Sequence, residues 1–160
     1  MKLFNRPPAE VSSLLERGER ALAWAETSDG GWLVATGTRL CGSGPTLDYR
    51  WVSVLGASWD PPVLELKIWT PQRVDTSALT IPQAGVLPQV IRERIMQSLV
   101  VQRHVALSGK KGVRFLARRD PETDLVTWQT VLDAGVDASD PAVAARIAES
   151  LAVLREAYGV

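Results

Sequence analysis

At 160 residues, with 46% hydrophobic content and a formal net charge of zero, the chain can bury a sizeable core and carries no bulk charge to draw it to a polyanion. Its one cysteine, Cys41, excludes an intramolecular disulfide and makes a cysteine-based metal site implausible. No stretch of about 18–20 apolar residues could span a membrane, and the start MKLFNRPPAE lacks the apolar core of a signal peptide, so a cytoplasmic protein is expected.

The elements follow in order. Pro7 and Pro8 precede AEVSSLLER, where Val11, Leu14 and Leu15 make a small apolar stripe and Gly18 stands where a helix-ending glycine belongs. A helix of about ten residues is too short to hold alone and must dock. From residue 21 the period becomes two. Leu22 and Trp24 fall on one face, and Ala21, Ala23 and Ala25 on the other. Ser28-Asp29-Gly30-Gly31 is a hairpin turn, because these residues tolerate the positive φ that tight turns need. Trp32–Thr36 reads as the second strand, continued by Thr38-Arg39-Leu40-Cys41 and ended by Gly42-Ser43-Gly44-Pro45. Apolar segments at 49–54 and 55–59 are closed by Asp60-Pro61-Pro62. Val63–Trp69 alternates most clearly, with Leu64, Leu66 and Ile68 inward and Glu65, Lys67 and Trp69 outward. A further strand is expected near 78–81.

Pro88 opens a helix predicted over 88–101, with Leu87, Val90, Ile91, Ile95, Leu99 and Val100 as its buried stripe. Residues 102–107, 113–118 and 125–132 read as a three-stranded meander, and 133–140 as an exposed acidic loop. Ser139 or Asp140 can cap the last helix and Pro141 takes its first position. Val143, Ile147, Leu151, Leu154 and Tyr158 then mark an amphipathic helix over 141–158.

The segments LVATGTRL, RWVSVLGASWD and LELKIW resemble the pleckstrin-homology-like (PH-like) roll, including its GRAM and bacterial members. In that family a T-x-x-R-L strand end precedes a short aromatic segment and another strand. Thr36, Arg39 and Leu40 match the first element, and Arg50-Trp51-Val52-Ser53-Val54 loosely matches the second. The family's other hallmark is a helix across the open end of the roll, and residues 88–101 stand in that place. The likeness covers about residues 18–101 and extends to a group of high-GC bacterial proteins that add a strand–helix extension. It implies an α+β fold, a PH-like antiparallel β-roll closed by a helix and extended by a three-stranded meander and a C-terminal amphipathic helix. The whole is expected to be a single domain, 1–160, with 102–160 as the extension. It also implies a binding role. The loop at 41–48, whose only ionisable side chains are Cys41 and Asp48, is not the basic loop of phosphoinositide-binding members.

Chemistry-bearing residues are sparse. His104, the only histidine, has no nucleophile near it in sequence and reads as structural or surface-lying. Cys41 reads as a small, partly buried, inert thiol even with Arg39 two residues away. GTRLCGSG has neither the spacing nor the lysine of a phosphate-binding loop. No paired carboxylates, metal-ligand spacing or cofactor motif emerges, so no cofactor and no catalysis are expected. Charge is unevenly placed. Arg92, Arg94, Arg103, Lys110, Lys111, Arg114, Arg118 and Arg119 face Glu93 alone within 92–119, and residues 120–160 are net acidic. Lys110, Lys111, Arg114 and Arg118 could together meet an anionic membrane surface or nucleic acid; the competing reading is a solvated or internally neutralised face. Trp24, Trp32, Trp51, Trp59 and Trp128 read as core. Trp69, on the outward face of its strand, is a candidate partner anchor.

Three functions stay open: a non-catalytic interaction module binding a protein partner through an edge strand or exposed apolar surface, a peripheral membrane or nucleic-acid binder, and a small-ligand carrier or enzyme with a pocket in the roll.

Overall fold

Strand-forming sequence dominates the computed structural model, which describes residues 5–160. Among them lie three antiparallel sheets and three α-helices, an α+β arrangement. Two compact units emerge. The first holds the chain up to Ser98 together with Asp120–Thr123, and the second Leu99–Arg119 with Asp124–Val160.

In the first unit, α1 (Ala9–Leu14) is shorter than its apolar stripe suggests. The chain is already extended at Leu15, and Gly18, with φ of +83°, serves the turn into β1 rather than capping the helix. β1 (Ala21–Glu26), β2 (Trp32–Thr36), β3 (Arg39–Gly42) and β4 (Asp48–Arg50) form a sheet in sequence order. Residues 38–41 therefore do not continue the second strand. They fold back on it, with Val34 opposite Cys41. The reason is local: Thr36 Oγ1 accepts hydrogen bonds from the backbone N–H groups of Thr38 (3.2 Å) and Arg39 (3.1 Å). A threonine hydroxyl that satisfies the next donors along the chain offers the backbone a turn in place of more strand.

A 3₁₀ turn, Trp51–Ser53, leads to the second sheet, β5 (Val54–Asp60), β6 (Val63–Trp69) and β7 (Val74–Thr80), in the order β5-β6-β7. β6 behaves as its alternation predicts, with Leu64, Leu66 and Ile68 buried. Helix α2 (Leu87–Ser98) stops earlier than expected. Leu99 and Val100 already belong to the next strand, so they are not part of the helix stripe. The core joins Ala23, Ala25, Leu33, Ala35 and Leu40 of the first sheet to Trp51, Val54, the inward side of β6, and Leu87 and Ile91 of α2. On the other face of β1 and β2, a smaller cluster holds Val11, Val34 and Cys41, with Trp24 and Trp32 packed partly against it. The alanines of β1, not Leu22 and Trp24, thus face the main core. Leu22 is exposed, and Trp24, Trp32 and Trp59 are only half-buried, so the reading of these tryptophans as core is corrected. Trp24 and Trp32 pack on the smaller cluster and Trp59 against the border of the main core, so each ring keeps part of its area exposed.

The second unit is the expected meander, β8 (Leu99–Ser108), β9 (Lys111–Arg119) and β10 (Val126–Leu132), in the order β10-β9-β8, with helix α3 (Pro141–Tyr158). Val101, Val113, Phe115, Ala117 and Trp128 line one face of the sheet, and Ile147, Leu151 and Leu154 of α3 pack on them. Asp140 caps α3, its side chain accepting from Ala142 N–H at 2.9 Å. Gly159 closes it in the left-handed region, φ +67°. Trp128 Nε1 donates to the Val160 carbonyl at 3.0 Å, and Arg103 lies over the Tyr158 ring at 5.5 Å. Gly112 sits where β8 bulges between Ala106 and Ser108. A Cβ there would fall 1.9 Å from the Val105 carbonyl oxygen, so only glycine fits.

Candidate functional site

The first unit presents a groove between β5 and α2. β5 pairs with β6 and, among the described residues, with no strand on its other side. Backbone donors and acceptors on that side of a strand have no ladder partner. Beside it, Ala57, Ser58 and Trp59 of β5, Leu64 of β6, and Pro88, Gln89 and Arg92 of α2 line a hollow of about 340 Å³. Local sequence explains each wall. The β5–β6 hairpin turns at Pro61-Pro62, and Asp60 pairs with Val63. Pro88 lies in the first turn of α2, where a missing N–H costs nothing. Ile91 is fully buried, and Arg92, one residue on, is exposed beside the hollow. Gln89 Nε2 is held by Glu93 Oε1 at 3.0 Å. Arg92 has no ion-pair partner among the described residues.

The residues singled out from sequence do not form one site. Trp69 lies in the first unit and is half-buried rather than fully presented. Lys110, Lys111 and Arg114 lie in the second unit and are exposed. Arg118 corrects the expectation: it is 1% exposed, and burial alone draws its guanidinium down to about 10. It shares the face of β9 with Arg114, as the alternation says. Along that face the buried residues are Leu116, Arg118 and, on β10, Gln129, while Arg114 is open to solvent. Alternation fixes the side of a sheet and carries no information on what covers each end of it. The four-residue basic patch is therefore reduced to three residues. Asp133 stands close to this face. Its Oδ2 lies 2.7 Å from His104 Nε2 and accepts from Gly112 N–H at 2.7 Å. The bonds to His104 and Gly112 hold the Asp133 carboxyl below its usual range, with Arg114 adding to the effect.

The T-x-x-R-L residues do structural work. Arg39 donates through Nε to Glu19 Oε1 (3.0 Å), through Nη2 to Glu19 Oε2 (2.8 Å), and through Nη2 to the Leu14 carbonyl (2.9 Å). Thr36 and Thr38 hydroxyls also donate to Glu19 Oε1, at 2.8 and 3.2 Å. Arg39 Nη1 reaches Asp48 at 3.1 Å. Burial pushes the Glu19 carboxyl up, but the Arg39, Glu16 and Thr36 hydrogen bonds outweigh it and bring it down to about 2. Cys41, 2% exposed, has its thiol pushed up by burial, against which Arg39 pulls less strongly. Among the described residues no group of three or more His, Cys, Asp or Glu could hold a metal ion, and no helix is long and apolar enough to cross a membrane. Neither a protein-family model nor a curated protein matches the chain.

The groove residues Trp59 and Arg92 were not singled out from sequence. Their only signals were Pro88, which starts the helix, and the Asp60-Pro61-Pro62 stop, which fixes where β5 ends. That β5 is an edge strand depends on sheet order, which local pattern does not specify.

Proposed function

We propose that the first unit is a PH-like roll acting as a non-catalytic, cytoplasmic interaction module, which takes an extended segment of a protein partner along β5. The observation that carries this reading is the side of β5 around Ala57–Trp59 that pairs with no strand among the described residues, bordered by a hollow whose Arg92 has no ion-pair partner among them. An added strand would bond the backbone groups that Ala57 and Trp59 turn away from β6, Trp59 and Pro88 would take an apolar side chain, and Arg92 an acidic one. Filled aliphatic packing at Leu33, Leu64, Leu66 and Ile91 weighs against a ligand carried inside the roll. The loss of Arg118 from the exposed basic set weighs against a phosphate-tracking surface, since each lost cation removes part of the counterion-release gain.

The test is selection of binders from a random peptide library by the intact chain, followed by affinity measurement on variants. Arg92→Glu should weaken binding about tenfold, and Ala57→Pro, which removes an N–H on the side of β5 away from β6, should abolish it. The triple change Lys110→Ala, Lys111→Ala, Arg114→Ala should leave it unaltered. Recovery of no peptide, or loss only in the triple variant, would contradict the proposal.

A further inference from the structure

A second hollow in the first unit, away from the β5–α2 groove, has a different chemistry. It measures about 710 Å³, and its lining includes Trp24 and Glu26 of β1, Trp32 of β2, and Pro82 and Gln83. The register puts the three β-strand side chains on one face. Glu26 pairs directly with Trp32, and Trp24 pairs with Val34, two residues along from Trp32. A directly opposed pair has Cβ atoms about 5 Å apart and a diagonal pair about 7–8 Å, so a carboxylate stands beside two indoles.

Neither indole is consumed by the core. Val11, Val34 and Cys41 take part of each ring, and both tryptophans keep exposed area toward the hollow. Their Nε1–H groups make no hydrogen bond among the described residues. Glu26 is exposed and has no ion-pair partner among those residues. The two strands that form its wall, β1 and β2, supply no cation either. Residues 21–38 contain Glu26 and Asp29 and neither lysine nor arginine. Asp29 is occupied by Thr27 and the Gly31 N–H, which leaves Glu26 as the carboxylate on offer beside the indoles.

We infer that this hollow binds the guanidinium group of an arginine side chain carried in a peptide. An indole face attracts a cation through its ring quadrupole, and an adjacent carboxylate adds a charge-assisted acceptor. Guanidinium suits it better than ammonium. It is planar, stacks on an aromatic ring while forking to a carboxylate, and is more weakly hydrated, so partly apolar walls cost it less. The site is distinct from the β5 groove and does not depend on it.

The experiment follows the indole N–H resonances of the ¹⁵N-labelled intact chain, assigned with tryptophan-to-phenylalanine variants. The probe is N-acetyl-arginine-N-methylamide, and its neutral isostere is the citrulline derivative. Saturable shifts should appear at Trp24 and Trp32 and not at buried Trp51. The citrulline and lysine derivatives and free arginine, whose own carboxylate is repelled by Glu26, should bind more weakly. Glu26→Gln should weaken binding about fivefold while the Trp51 resonance keeps its native position, showing an intact fold. Citrulline or lysine binding as tightly, free arginine binding more tightly, an unchanged affinity in Glu26→Gln, or no shift at about 100 mM probe would overturn the inference.

Discussion

Arg39 and Glu19 convert a spacing in the sequence into a buried charge network. Their side chains are 12% and 10% exposed, and each is bonded by several partners. Removing one member leaves the other charged and buried, so Arg39→Leu should cost about 3 kcal/mol in chemical denaturation at neutral pH. Glu19 also sets a pH dependence. Its carboxyl lies at about 2 in the folded chain against an ordinary 4.5, so the stability it contributes is fully present above about pH 4.5 and fades as pH falls toward 2. The gap between the native chain and Glu19→Gln should accordingly be wide at pH 6 and close between pH 4.5 and 2, read from urea midpoints; a gap constant across that window would contradict the assignment. Gly112 makes a steric claim of the same kind. Because backbone, not a movable side chain, occupies the Cβ position, Gly112→Ala should lower stability by about 2–3 kcal/mol, seen as a fall in thermal midpoint. The T-x-x-R-L spacing was legible in the sequence as a specifier of shape. Glu19, its partner, was not, because nothing in a lone glutamate at a turn says which distant arginine it will meet.

Among the elements, those with a strong local code were the most legible. β6 and α3 fall where alternation and 3.6-residue spacing put them, and Asp140 and Pro141 mark the start of α3. Asp140→Ala should cost about 1 kcal/mol in denaturant, while Asp140→Asn, which keeps the acceptor, should cost less; equal losses would argue against capping as its role. Where several codes compete, local pattern does not decide the element. The period of α2 runs on into Leu99 and Val100, whose apolar character suits helix and strand equally, and strand pairing decides. Residues 38–41 carry strand-like composition, but Thr36 intercepts their N–H groups and turns the chain. β7 begins at Val74, several residues before its apolar stretch, because its register is imposed along the whole of β6.

At the scale of the whole chain, the α+β class and the strand–helix character of the second half were legible, while long-range choices stayed hidden. Asp120–Thr123 belongs with the first unit, where Arg50 donates to Asp120 at 2.8 and 2.7 Å and pairs with Glu122 at 2.7 Å. A pairing across 70 positions leaves no periodic trace. The candidate site was hidden for the same reason: an edge strand and a neighbouring helix create it, and neither Trp59 nor Arg92 is unusual by itself. The proposed function requires β5 to be a docking edge. Amide hydrogen exchange of the intact chain, with and without a library-selected peptide, tests this most directly. Binding should slow exchange about tenfold or more at the Ala57 and Trp59 amides of β5, the alternate positions turned away from β6, with little change in Lys111–Arg119. Unchanged exchange along β5 in the presence of saturating peptide, with protection confined to β9, would contradict it.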